Sequence, residues 1–109
     1  MSGLPEQTEP PDRYDLQARY LELTRVELPA AARRDGWPIR EDHCFMRIIL
    51  DALFGGCWYD HLDRRLRAYK QLDETQLRDA VALGEQMLAE GEPKVRALNE
   101  QSLCWRGKA

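Results

Sequence analysis

Apolar residues recur at three- and four-residue steps through most of this chain, the spacing that lines one face of an α-helix. Leu16, Tyr20, Leu23 and Leu28 step in this way, and Tyr14, Ala18 and Leu21 form a second stripe beside them. The pattern predicts a helix from Asp12 to about Arg34, with Asp12 or Asp15 capping its first amides. Pro29 is expected to bend or break it, because proline removes a hydrogen bond and clashes with the preceding turn. Asp35-Gly36, followed by Trp37-Pro38, closes it.

A second helix is expected from Glu41 or Asp42 to Phe54, ended by Gly55-Gly56. Phe45, Met46, Ile48, Ile49, Leu50, Ala52, Leu53 and Phe54 leave it only a narrow polar face, and a helix apolar nearly all round is a buried one. Arg47 and Asp51 stand at i, i+4 on that face and are expected to pair with each other. Trp58, Leu62 and Leu66 at four-residue spacing predict a short helix from Cys57 to about Arg67. The clearest start signal follows: Asp73 as cap, Gln76 three residues on as in a capping box, and Leu72 placed to staple onto Leu77. Leu77, Val81, Gly84 and Leu88 mark the inward face of that helix as far as Gly91. Glu92-Pro93 opens a last helix with Val95, Leu98 and Leu103 facing inward. No run alternates as a strand does. The fold class is therefore all-α, a compact bundle of about five helices around a buried central helix at about 41–54. Residues 12–109 form a single helical domain, and the Pro-rich polar residues 1–11 are expected to be a disordered arm.

Charge adds one correction to this outline. The 109 residues carry a formal net charge of −3, but Glu6, Glu9 and Asp12 account for it, and the body from Arg13 onward holds 16 acidic and 16 basic residues. That balance is unlike the strongly basic one of a nucleic-acid binder. No apolar run approaches the ~18 residues that cross a bilayer, and the N-terminus lacks the basic and apolar segments of a signal peptide. Three cysteines, an odd number at irregular spacing, fit free thiols in a reducing cytoplasm better than a disulfide framework.

Four groups of residues can carry chemistry. Cys57 follows Gly55-Gly56 at an expected helix start, where the helix dipole lowers a thiol's pKa, and His61 lies one turn on as a base or ion-pair partner. The competing reading is a small apolar filler, the commonest role of cysteine. His43, Cys44, Cys57 and His61 also invite a zinc reading. Zinc sites announce themselves as closely spaced ligand pairs, which neither half shows, so no metal and no cofactor is expected. Arg64, Arg65, Arg67 and Lys70, with Tyr69 among them, can hold phosphates and stack on bases, but Asp60, Asp63 and Asp73 flank them as on a solvated face. Trp105, near the chain end, either docks onto the domain and closes its core, the favoured reading, or is displayed at an interface.

The Asp42-His43-Cys44-Phe45-Met46-Arg47-Ile48 segment and the ending from Ser102 to Lys108 resemble a group of small bacterial helical proteins, from about Tyr20 onward. Some of that group carry labels linking them to the acetyl-CoA-dependent N-acetyltransferase superfamily, without an assigned active site. A catalytic domain of that superfamily needs a central sheet and a glycine-rich loop that holds a pyrophosphate on a helix N-terminus. This sequence offers neither, so the resemblance implies an associated helical module.

The preferred expectation for function is a small cytoplasmic helical module that acts through a protein partner or as a homodimer. Its interface would use Tyr14, Ala18, Leu21 and Trp105. The alternative is an enzyme or thiol-dependent protein with His43, Arg47, Cys57 and His61 as its site. A third reading is nucleic-acid binding through Arg64–Lys70, which the neutral body disfavours.

Overall fold

A computed structural model describes residues 12–107. The arm expected at residues 1–11, and Lys108 and Ala109 at the other end, lie outside the described residues. Helix α1 (Arg13–Glu22) runs through a π-helical segment (Leu23–Glu27) into α2 (Leu28–Asp35). The central α3 (Asp42–Phe54), a 3-10 turn (Trp58–Asp60) and the short α4 (Ala68–Gln71) follow, then the long α5 (Glu74–Glu90) and α6 (Glu92–Trp105). No strand occurs among the described residues. With α1, the π segment and α2 taken as one continuous helix, the bundle has five.

The first helix shows how a proline is absorbed. Pro29 has no N–H to offer the Arg25 carbonyl, and the helix widens just before it. The Leu28 amide donates to the Leu23 carbonyl five residues back, the π-helical bond. Thr24, fully buried in this stretch, donates its hydroxyl to the Tyr20 carbonyl at 2.9 Å. The helix bends its hydrogen-bond pattern without ending, and stops where Gly36 takes φ 69°, a left-handed cap that needs no Cβ. At its other end the Asp12 side chain accepts from the Asp15 amide at 2.9 Å. Arg13 ties that end to the carbonyls of Leu72 and Lys70.

Helix α3 lies at the centre, with Phe45, Ile48, Ile49 and Leu50 buried, and packs against α2, the π segment, α5 and α6. Trp37 is also core, its ring edge-on to Phe45 at 6.2 Å. The capping box of α5 is present in full: Asp73 accepts from the Gln76 amide at 2.8 Å, and the Gln76 side chain accepts from the Asp73 amide at 2.9 Å. Leu72 and Leu77 are both fully buried beside it. Gly84 sits mid-helix because α5 and the π segment approach closely there. A Cβ at that position would stand 3.0 Å from Leu23 Cδ1.

The segment from Cys57 to Arg67 departs from expectation. Only the 3-10 turn over Trp58–Asp60 forms, and α-helix resumes at Ala68. Local side-chain bonds compete with the helix, as those of Asp commonly do. The Asp63 carboxylate takes the Arg65 amide at 2.9 Å, and the Gln71 side-chain amide holds both the N–H and the C=O of Asp63 at 2.8 Å. Leu66, the last residue of the four-residue spacing that suggested a helix, is exposed.

Candidate functional site

Two polar residues in the inner part of α3, Arg47 and Asp51, organise the functional face. Asp51 is fully buried, yet every lone-pair direction of its carboxylate is used. Oδ2 accepts from Ser102 Oγ at 2.6 Å and from Arg106 Nε at 2.7 Å. Oδ1 accepts from Arg106 Nη2 and from the Trp58 amide, each at 3.0 Å. Burial pushes the Asp51 carboxyl up. The bonds from Arg106, Ser102 and Trp58 together outweigh that, so it is held below the ordinary carboxylate value. The bond to Asp51 likewise holds Arg106 above its ordinary value.

Arg47, one turn earlier, does not pair with Asp51 as its spacing suggested. Its Nη1 donates to Ser102 Oγ at 2.6 Å and its Nη2 to Asn99 Oδ1 at 2.7 Å. Both acceptors are neutral. Ser102 thus accepts from Arg47 and donates to Asp51, and the negative charge of Asp51 is matched by Arg106. Arg47 is left half-buried, held in place by two hydrogen bonds, with no carboxylate against it among the described residues. A partly buried charge without a counter-charge is expensive to keep.

Arg47 forms part of the wall of a cleft of about 340 Å³, between α1, α3 and the stretch from Trp58 to Tyr69. Arg25 and Arg67 line it too, with His43. Neither Arg25 nor Arg67 makes an ion pair or a side-chain hydrogen bond among the described residues. Tyr20 and Tyr69 form an aromatic floor, their rings 6.2 Å apart, and Trp58 and Tyr59 form a side. Burial pushes the Tyr20 hydroxyl up in pKa, against a weaker downward pull from Arg25, and keeps it a neutral phenol. No Asp or Glu is among the lining residues. The cleft combines cationic donors with aromatic surface, an arrangement that binds anions.

The residues singled out in the sequence divide between this cleft and other places. His43 and Arg47 both line it, one turn apart on α3. Cys57 and His61 are not among its lining residues. Cys57 is half-buried and precedes the 3-10 turn, and His61 stacks flat on Phe54 at 4.8 Å. Cys44 is half-buried, and no group of three His, Cys, Asp or Glu able to hold a metal occurs among the described residues. The basic run is split. Arg65 is paired with Asp63, Arg64 lies 4.0 Å over the Tyr59 ring, Lys70 is exposed, and only Arg67 and Tyr69 reach the cleft. Trp105 keeps 38 % of its surface, and it is the neighbouring Arg106 that docks. On α1, Tyr14 and Ala18 are exposed while Leu21 packs against the core.

Sequence reasoning missed Ser102, Asn99 and Arg106 as partners and Arg25 as a lining residue. A signal was present: Arg47/Asp51 and Ser102/Arg106 are both i, i+4 polar pairs on the inward sides of helices. Two such pairs match each other when the helices pack. No protein-family model, curated protein or solved structure matches the chain. No helix among the described residues is long and apolar enough to cross a membrane.

Proposed function

We propose that this protein is a small helical binding module that receives an anionic group of its partner in the cleft beside α3. The observation that carries this reading is Arg47, half-buried and braced by Ser102 and Asn99, with Arg25 and Arg67 beside it and no carboxylate in the lining. Bound anion supplies the counter-charge that the fold leaves out. The cysteines are free, which supports a reducing compartment such as the cytoplasm. The test is thermal unfolding in increasing pyrophosphate at constant ionic strength. Ligand that binds only the folded state raises the midpoint with concentration. The reading requires that rise, and its loss in Arg47→Gln. A midpoint that ignores pyrophosphate overturns it.

A second copy of the chain is a further partner that one observation favours. Tyr14 is 78 % exposed on α1, with Ala18 exposed one turn on, so the outward stripe has no cover from its own domain. An isologous contact across a two-fold axis is the simplest use of such a stripe.

A further inference from the structure

The same cleft says more about its ligand than its charge. We infer that it takes a small molecule joining a flat aromatic ring to a phosphate, of the size and kind of a nucleoside monophosphate. This inference rests on the anion-binding reading above and goes beyond it by naming the ligand's chemical class.

Size comes first. A cleft of about 340 Å³ lies at the lower end of the ~300–1,000 Å³ typical of small-molecule sites. It accommodates a compact ligand and leaves little room for a folded segment of another protein. The charge follows. Three arginines line one cleft, Arg47 half-buried and Arg25 and Arg67 exposed at its edge, more positive charge than a single carboxylate would balance, and the forked N–H groups of arginine match phosphate oxygens in pairs. Arg47 spends two of its five donors on Ser102 and Asn99 and keeps the rest for a ligand.

The ring is the third element. Four aromatic side chains border the cleft, and they are not equivalent. Tyr20 and Tyr69 are buried as its floor. Tyr59 already has guanidinium groups against its ring, Arg64 at 4.0 Å and Arg106 at 4.9 Å from the centroid. Trp58 makes an edge contact with Tyr59 at 4.7 Å and bears no guanidinium among the described residues. It is half-buried and its backbone amide is pinned on Asp51. An indole that lines the cleft on a pinned backbone, beside arginines without a carboxylate partner among the described residues, is placed as a stacking platform next to a phosphate site. Base–aromatic stacking tolerates any base, because each has a π-face.

Calorimetric titration with adenosine monophosphate, adenosine, inorganic phosphate and an oligo-glutamate peptide decides the inference. Circular dichroism of each variant verifies the fold. The expected result is that the monophosphate binds at least tenfold more tightly than adenosine, phosphate or the peptide. Trp58→Leu should weaken the monophosphate tenfold while leaving phosphate unchanged, and Arg47→Gln should weaken both. Should Trp58→Leu unfold the protein, Trp58→Tyr in the same titration keeps the question open to refutation, with an intermediate affinity expected. Equal binding of phosphate and the monophosphate, or tighter binding of the peptide, overturns the ligand class while the anion-binding reading stands. Absence of binding by phosphate, monophosphate and peptide alike overturns both.

Discussion

Arg106 grips Asp51 with two parallel hydrogen bonds, 2.7 Å from Nε to Oδ2 and 3.0 Å from Nη2 to Oδ1, joining the end of the last helix to the centre of the bundle. Asp51 is wholly buried and the Arg106 side chain is 14 % exposed. The forked geometry also frees Arg47, since the carboxylate to which Ser102 donates is already neutralised by Arg106. Removing Arg106 would leave a buried carboxylate without a counter-charge. Arg106→Ala is expected to cost about 3–5 kcal/mol in chemical denaturation, as breaking a buried pair from one side does. Arg106→Lys should recover only part of it, because an ammonium cannot make the fork. A loss below about half a kcal/mol for Arg106→Ala, the range of an ordinary surface substitution, would remove the pair from the account.

Acid should act through the same carboxylate. Asp51 is held below its ordinary value in the folded protein, so the folded state keeps the charged form more strongly than the unfolded chain does. The stability this contributes is fully present above the unfolded value of about 3.9, and is lost as pH falls through the lower folded value. The free energy of unfolding is therefore expected to decline below about pH 4, and the decline should be shallower in Asp51→Asn. Parallel acid profiles for the two proteins would assign the acid sensitivity to other groups.

The core prediction concerns α3. Ile49 is fully buried, and Ile49→Ala is expected to cost about 2–5 kcal/mol. The amides of Ile48–Leu50 should also be among the slowest to exchange, since opening them needs the whole bundle to open. Exchange of these amides as fast as those at the exposed helix ends would contradict the central placement.

Much of this arrangement is readable from neighbours in the chain. Glycines at 36 and 55, the Asp73–Gln76 box and the apolar run of α3 are local signals, and each marks an element boundary or a buried face. Two features were not readable in that way. The four-residue spacing of Trp58, Leu62 and Leu66 imitates a helix, but Asp63 and Gln71 supply side-chain bonds that hold the chain in turns instead. Arg47 and Asp51 have the spacing of a self-contained pair, but their side-chain partners lie 51 to 55 residues away, on α6 and at the Arg106 that caps it. Long-range packing decides which acceptor an arginine reaches. The cleft is a product of that choice, and so its charge could not be read from spacing alone.

Self-association has its own test. Tyr14 stands on the outward stripe of α1, and its substitution removes nothing from the core. Sedimentation equilibrium at micromolar protein is expected to show a dimer that Tyr14→Glu converts to monomer. A monomer mass throughout rejects association, and a dimer untouched by Tyr14→Glu rejects this surface.

The central claim is that Arg47, uncompensated and braced by Ser102 and Asn99, is the anchor of an anion site shared with Arg25 and Arg67. Following the arginine Nε–Hε resonances by NMR during a pyrophosphate titration tests it most directly. The signals of Arg47, Arg25 and Arg67 should move together along one saturating curve, while those of Arg34 and Arg65, paired with Asp35 and Asp63, stay nearly still. Shifts that are linear and spread over all the exposed arginines, with Arg47 unmoved, would contradict the account.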